Sequence, residues 1–434
     1  MKEKIKEKKY NIWFFHHYAT PPSLTGLTRP YDFSKQLLKM GHKATVFASS
    51  YLHYSNEQLI NNGDLYIKDN SSGVPFIYVR THSAIGNGLN RVINMFDFAK
   101  NLYRVAKKEA KLNGKPDVII ASSPHPLTMI VGNYLGKKLN VPCICEVRDF
   151  WPEVFFYNGV TEEDSFLGKL LLRGEKWIYE NAKGLIFLKE GDFNYLLEHN
   201  LTKENGGNID LSNVFYINNG IDLQKFKENL INNQLIDNDL DNNKFKVIYV
   251  GAIRPVNNVG FLVDTANELK NENIEFLIFG DGNEKKELQN RVKLLNLDNI
   301  IFKGYVDKKY VPYILFKSSV NILNYSDKRY NWSRGNSSNK LFEYLASGKP
   351  VISTVKMGYS IIEKYKCGSE IENFDSKSLA NEIMKYKNMD KEKYNSICEN
   401  ARMSAQNFDY ILQTKNLLRA INATFDNYNM EGNN

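Results

Sequence analysis

The densest run of chemically capable residues is Asn331-Trp-Ser-Arg-Gly-Asn-Ser-Ser-Asn-Lys-Leu-Phe-Glu-Tyr-Leu-Ala-Ser-Gly-Lys-Pro350. Ser338 and Asn339 precede an apolar-periodic stretch, so the first N–H groups of a short helix can face an anion while Lys340 adds a point charge. Glu343 follows Lys340 by three residues, on the same helical face. A carboxylate there suits two vicinal ribose hydroxyls; the plainer reading is a surface ion pair with Lys340. Two glycine-punctuated turns end apolar runs elsewhere. In Val250-Gly-Ala-Ile-Arg-Pro255, Arg254 can pair with a phosphate. In Phe279-Gly-Asp-Gly-Asn-Glu284, Gly282 and Asn283 either make a tight turn or bring backbone against a nucleotide. A third turn, Ser23-Leu-Thr-Gly-Leu-Thr-Arg29, has Gly26 able to take positive φ just ahead of a helix N-terminus.

His125, in Ser122-Ser-Pro-His-Pro126, leaves the end of an apolar run. Its imidazole can donate or accept a hydrogen bond there, and as a lone histidine it reads first as structural. Glu146, Arg148, Asp149 and Glu153 follow the next apolar run; they suit acceptor binding or proton transfer, and equally a structural network. His16 and His17, adjacent in sequence, cannot share one strand face and read as loop polarity. The D-x-D spacing in Asp237-Asn-Asp-Leu-Asp241 lies in a polar linker and reads as solvated loop. Four cysteines in 434 residues exclude a disulfide scaffold, and no C-x-x-C or H-E-x-x-H occurs, so no metal site is expected. Cys143 and Cys145 are expected on opposite sides of a strand, in a reduced, cytosolic compartment.

These residues need a scaffold, and 434 residues suit two domains of about 200. Strands are expected at 10–15, 44–48, 118–121, 142–147, 184–188 and 214–217, with helices at 29–40, 91–111, 127–139 and 167–181. A polar insert at 55–85 reads as a hairpin or irregular loop. After an Asn/Asp-rich approach at 227–245 the alternation restarts. Strands are expected there at 246–250, 275–279, 300–302, 320–323, 350–353 and 368–371; helices at 260–269, 284–295, 310–317, 340–346 and 376–387. Near-continuous apolar strands alternating with helices predict α/β architecture: two Rossmann-like doubly wound domains facing across a cleft. The expected boundaries are 1–222 and 223–405, with a C-terminal helix, about 406–428, returning to the first domain. Fifty-seven Lys+Arg against 49 Asp+Glu give +8, too little and too interleaved for a nucleic-acid arm. It suits phosphates or an anionic membrane surface, and equally a surplus of surface lysine. No run approaches a spanning helix, and the basic start MKEKIKEKKYNIWFF is too short in its apolar part for a signal peptide. The motif is not G-x-G-x-x-G, which disfavours a dinucleotide oxidoreductase.

The run SSNKLFEYLASGKPVIST, with VGAIRP, FGDGNEKKEL, FKGYV and INNGIDLQKF upstream, resembles the donor half of family 4 glycosyltransferases of the GT-B fold. DVIIASSPHPLT and PCICEVRDFWPE resemble the subset making bacterial capsule and O-antigen, including N-acetylated fucosamine transferases. The resemblance covers about 11–408. It implies a retaining, metal-independent transfer of a sugar from a nucleotide diphosphate, UDP by preference, to a hydroxyl of a lipid-linked saccharide, without a cofactor. Glu343 matches the second carboxylate of the family's E-x7-E; the first falls at Gly335 and is missing. Pro255-Val-Asn-Asn258 stands where a lysine is usual, and Ser338 replaces a proline. By the same resemblance Arg254 and Lys340 hold the diphosphate, Ser338 and Asn339 lie near sugar or phosphate, the Gly26 loop meets the donor phosphates, and His125 sits by the sugar. The helix Arg91–Lys108, an apolar stripe with basic residues, reads as a core helix or, with the basic tail, as peripheral membrane contact. A GT-B epimerase or hydrolase, and a non-catalytic scaffold, are the competing functions.

Overall fold

Runs such as Asn-Ile-Trp-Phe-Phe and Val-Ile-Ile-Ala-Ser cannot be solvated on either face, and they form strands with both faces covered. The computed structural model describes residues 8–85, 88–327 and 331–432. The first seven residues of the basic start therefore lie outside the described residues.

The first sheet uses β1 (Asn11–Phe15), β2 (Lys43–Ser49), β5 (Tyr66–Asp69), β6 (Phe76–Val79), β7 (Val118–Ser122), β8 (Cys143–Val147), β9 (Gly184–Phe187) and β10 (Val214–Tyr216), in the order β10-β9-β8-β7-β1-β2-β6-β5. All neighbours are parallel except β5 and β6, which pair antiparallel with Tyr66 opposite Val79. The polar insert thus supplies a hairpin whose second strand joins the sheet. Two short strands, β3 (Tyr51–Leu52) and β4 (Glu57–Gln58), pair separately. The second sheet is wholly parallel: β11 (Phe245–Val250), β12 (Ile274–Phe279), β13 (Ile300–Gly304), β14 (Val320–Leu323), β15 (Val351–Ser353) and β16 (Gly368–Glu370), in the order β13-β12-β11-β14-β15-β16. Both sheets are laid outward from their first strand in one direction and then, from the far side of that strand, in the other. Loops leaving the carboxyl ends diverge at that reversal, which is where such sheets bind ligands. The reversals fall between β1 and β7 and between β11 and β14.

The chain separates into two units: residues up to Leu188 with Phe193–Ile217 and the chain from Gln413, and Lys189–Asp192 with Asn218–Leu412. The final helix, Tyr410–Gly432, places Tyr10 against it through a hydroxyl to Asn422 Oδ1 (2.5 Å) and a stack on Phe425 at 5.2 Å. The C-terminal helix expected at about 406–428 begins at Tyr410, after a single turn at Gln406–Phe408 that buries Phe408 against Phe342.

Two expectations are corrected. Cys143 and Cys145 share one face and one core cluster, because residues two apart in a strand point the same way. The Asp-rich linker is not a solvated loop. Asp237 caps the short helix Asn238–Asp241, Leu240 is buried, Lys303 bonds Asp237 and Asp239 at 2.6 and 2.7 Å, and Lys317 bonds Asp241 at 2.6 Å. Ion pairs to the neighbouring elements, invisible to local periodicity, hold it down.

Gly280 ends β12 where the register with β13 shifts. Its φ is +141°, and an added Cβ would lie 1.8 Å from the Gly251 carbonyl oxygen. Gly280→Ala is expected to destabilise the second unit by roughly 2–4 kcal/mol, from backbone strain and overpacking together. Calorimetry would show the loss in that unit's transition; an unchanged Tm would contradict the close approach.

Candidate functional site

At the β11/β14 reversal a half-buried lysine sets its cation among aromatic rings. The helix Asn339–Ala346 opens with Ser338, whose hydroxyl makes no cap bond, and Lys340 lies on its first turn. Its Nζ sits 4.6 Å from the Tyr325 ring centroid and 5.0 Å from that of Tyr249, with Asn257 Oδ1 at 3.1 Å and the Tyr249 hydroxyl at 3.4 Å. Its stem crosses Gly251, where a Cβ would come within 3.1 Å of Lys340 Cδ. Among the described residues no carboxylate pairs with it, and burial pushes its ammonium down to about 7. The expected alternative, an ion pair with Glu343, is not formed: Glu343, half-buried one turn on, faces the exposed Lys308 at 3.6 Å.

The surrounding loops are cross-braced. Asn324, after β14, donates to the carbonyls of Asn257 and Asn258 at 2.6 and 2.8 Å, and Asn257 donates to Ala252 O. Ile253 N–H reaches Asp281 O at 2.9 Å, tying the Arg254 turn to the Gly282 turn. A Cβ at Gly282 would lie 2.1 Å from Ile253 O, so this glycine serves that contact; Asn283 and Arg254 are exposed. Asn219 Nδ2 donates to Ser337 O (2.6 Å) and Asn218 Nδ2 to Asn336 O (3.0 Å), fixing the approach to Ser338. The Asn336 amide nitrogen is itself buried without an acceptor. The structure therefore brings Lys340, Ser338, Asn339 and the Arg254 and Gly282–Asn283 turns together on the second unit. Gly335, at the position of the family's first carboxylate, has φ of +102°, which a glutamate would adopt only with strain.

The first unit answers with histidines at its own reversal. His17 follows β1, His125 follows β7, and their ring nitrogens meet: His17 Nδ1 to His125 Nε2 is 2.6 Å. Asn94 fixes the tautomers. Its Nδ2 donates to His82 O, so its Oδ1 accepts from His17 Nε2 at 2.7 Å. His17 Nδ1 is then an acceptor and His125 Nε2 the donor. His125 Nδ1 is left as a bare lone pair, buried and without a partner among the described residues. Burial, then neighbouring cationic groups, hold both imidazoles neutral, His125 at about 3 and His17 well below its ordinary value. His16 is buried too, also at about 3, with neither ring nitrogen bonded among the described residues. Loop polarity does not describe these residues; they are interior.

Glu146 is fully committed. Arg29 Nε donates to Oε2 at 2.9 Å, Ser122 Oγ to Oε1 at 2.7 Å, and Arg29 also reaches Ile217 O at 2.8 Å. Burial pushes the carboxyl up, but Arg29 and then Arg148 outweigh it and hold the group below its ordinary range. Of the acceptor-side candidates, Glu146 thus positions β8 against the first helix, while Arg148 keeps a buried Nη1 that finds no partner among the described residues and Asp149 is half-buried. Gly26 does not use positive φ; a Cβ there would meet Thr20 Oγ1 at 2.4 Å, and close approach to that side chain is what requires glycine. Among the described residues no three His, Cys, Asp or Glu side chains gather as a metal site.

Reading the sequence alone missed Tyr249, Tyr325, Asn257, His17 and Asn94. Tyr249 was hidden in a core strand; only its place one residue before the Val250-Gly251 turn marked it.

Residues 28–225 match the family model described as Glycosyltransferase Family 4, and residues 231–404 match that of Glycosyl transferases group 1. The chain is 24% identical over 226 residues to a poly(ribitol-phosphate) alpha-N-acetylglucosaminyltransferase of Staphylococcus aureus, a match covering 50% of this chain and 40% of that one. It thus spans about two fifths of that relative's length. Among solved structures it resembles sucrose-phosphate synthase from Thermosynechococcus elongatus (TM-score 0.69, 18% identity, 96% of this chain and 100% of the other). It also resembles Anabaena HepE in complex with UDP (TM-score 0.66, 15% identity, 95% and 100%).

The three buried histidines make acid the vulnerable side. Their folded values lie below the unfolded 6.5, so the unfolded chain binds more protons and stability is lost as pH falls below 6.5. For His16 the loss at pH 5 is about 2 kcal/mol. His16→Phe, which breaks no hydrogen bond, should raise Tm at pH 5 more than at pH 7.5; equal shifts at both would refute the buried neutral state. Arg29→Ala strands Glu146 and is expected to cost roughly 3–5 kcal/mol by denaturant titration.

Proposed function

The chain is a glycosyltransferase by family and GT-B in fold, and on that premise we propose that it transfers a sugar, with retention and without a metal, from a UDP-sugar to a hydroxyl of a lipid-linked saccharide in surface-polysaccharide synthesis. The observation that carries the reading is Lys340: a desolvated ammonium at a sheet reversal, with which no carboxylate among the described residues pairs, suits an anion. UDP is the preferred donor nucleotide because a structural neighbour is solved with it. An N-acetylated amino sugar is the preferred cargo, on the similarity to an N-acetylglucosaminyltransferase.

In this reading Lys340 and Arg254 hold the diphosphate, with Ser338 and Asn339 beside it and the Gly26 loop as a further phosphate contact. Glu343 accepts from the ribose hydroxyls, and the Gly282–Asn283 turn lies along the nucleotide. His125, neutral with Nδ1 bare, accepts a hydrogen bond from a sugar hydroxyl; Arg148 and Asp149 serve the acceptor, and Glu146 positions them. The bond from the anomeric carbon to the β-phosphate oxygen breaks, the acceptor oxygen bonds the same face, and its proton passes to the leaving diphosphate. No protein nucleophile is required. The protein works at the cytoplasmic face, with peripheral contact to an anionic membrane.

Incubation with UDP-sugars and a polyprenyl-diphosphate-linked sugar, with and without EDTA, tests the reading. Product requiring both substrates and insensitive to EDTA supports it; free sugar alone indicates a hydrolase, and no turnover a scaffold. Binding itself has a pH signature. A bound diphosphate returns the Lys340 ammonium upward from about 7, so UDP binding at pH 8 should take up close to one proton and weaken as pH rises from 7 to 9. Calorimetry in buffers of different ionisation enthalpy measures this. Lys340→Met should lose on the order of 100-fold in affinity, as expected for a charge-assisted contact of about 2–3 kcal/mol, and the proton uptake with it. Glu343→Ala should abolish donor binding, and unchanged affinity would refute the ribose assignment.

A further inference from the structure

The helix Phe166–Asn181 turns an apolar stripe to solvent. Phe166, its first residue, is 86% exposed, and Leu167 and Leu170 are exposed behind it. The opposite face carries Gly168, Glu175, Ile178 and Tyr179, all buried, so the helix is already seated on the first unit without the stripe. Positions 166, 170, 173, 174 and 177 follow one another at helical spacing along the outer face.

One of those positions is a glycine. Gly174 is exposed in the middle of the helix and does not use positive φ. A Cβ added there would meet nothing within 4 Å among the described residues outside its own helix. The chain's own packing therefore does not require a glycine, and in a helix interior glycine is weaker than alanine. What it supplies is a notch one turn beyond Leu170, where a large side chain from outside can reach the backbone.

The charges along the stripe are segregated. Glu162, Glu163 and Asp164 are exposed just before the helix, and Lys169, Arg173 and Lys176 are exposed along it. Among the described residues Glu162, Asp164, Lys169 and Arg173 make no ion pair, and Glu163 and Lys176 approach theirs, His199 and Glu180, at only 4.0 and 3.8 Å. That order suits the helix dipole. It also makes the stripe complementary to itself when turned end for end.

We propose that this face binds a second copy of the chain, the two helices running antiparallel about a two-fold axis at Leu170. Reversal about that residue sets Phe166 over the partner's Gly174 and Asp164 beside the partner's Lys176, each contact made twice. The ring enters the notch, Leu170 meets its own copy on the axis, and acids meet bases at both ends. A lipid surface fits the same stripe less well, because three exposed acids beside Phe166 would be carried to an anionic bilayer. The inference stands apart from the transferase reading.

Sedimentation velocity of the full chain over a concentration series tests it. The wild type should pass from monomer to dimer and no further, since a two-fold contact closes on itself. Leu170→Asp, which sets two carboxylates on the axis, and Gly174→Gln, which fills the notch while favouring the helix, should each weaken the dimer by about tenfold or more. The monomer's Tm should not fall in Gly174→Gln, which separates lost association from lost folding. Asp164→Lys and Lys176→Asp should each weaken the dimer, and the two together should restore it, a recovery specific to this register. A wild type that stays monomeric overturns the proposal. So does a dimer indifferent to Leu170→Asp and Gly174→Gln, or a charge double variant no better than its singles. Flotation with phosphatidylglycerol vesicles covers the other occupant: binding by a monomeric wild type that Phe166→Ser abolishes assigns the stripe to lipid and overturns it as well.

Discussion

A buried ammonium with no counter-ion is unfavourable, and the second unit is arranged around tolerating one. Two ring faces and one amide oxygen stand in for water at Lys340 Nζ, and none of them carries a full negative charge. The arrangement depends on backbone meeting backbone nearby. Gly251 leaves room for the lysine stem, and Gly280 and Gly282 let the neighbouring turn press against it. The hydroxyl of Tyr344, from the turn that follows Lys340 on the same helix, bonds the Val250 backbone at 3.2 Å and so fixes the helix to the end of β11. The strand order sets the location, the glycines permit the approach, and the lysine is left with a charge that no carboxylate among the described residues neutralises.

The first unit repeats the topology with opposite electrostatics. Its reversal holds neutral imidazoles rather than a cation, and the hydrogen-bond chain from Asn94 through His17 to His125 decides which nitrogen is bare. Neutrality follows from burial and from the guanidinium groups of Arg91 and Arg148 nearby. Glu146, bonded to Arg29, still pushes His16 upward, but burial and Arg148 outweigh it and the imidazole stays neutral.

Most of this architecture was legible because parallel sheets write themselves as short apolar runs separated by helical periods. Strand limits agree to within a residue or two, as at Val320–Leu323 and Val118–Ser122. What stayed hidden depends on contacts between segments distant in sequence. Tyr249 looks like any core aromatic until Lys340, ninety-one residues on, comes to rest on its ring. Asp237, Asp239 and Asp241 look solvated until Lys303 and Lys317 reach them. His17 reads as a loop residue because its partners, Asn94 and His125, lie on other elements. Local pattern reports which side chains must be covered and not which polar groups will meet.

Two of the three departures from the family pattern make sense together. The residue usual after the Val250-Gly251 turn is a lysine, and here the turn continues Pro255-Val-Asn-Asn258. Asn257 places its side-chain oxygen 3.1 Å from Lys340 Nζ while its own amide braces the turn on Ala252 O. A lysine there would set two ammonium groups against each other in a desolvated site, and one of them would have to leave or deprotonate. At the far end of the pattern, Gly335 replaces a carboxylate in a conformation that favours glycine. One cation and one anion of that pattern are absent here, and their charges offset. In the proposed reading the lysine between Tyr249 and Tyr325 meets the donor diphosphate together with Arg254, and its protonation governs donor affinity near neutral pH.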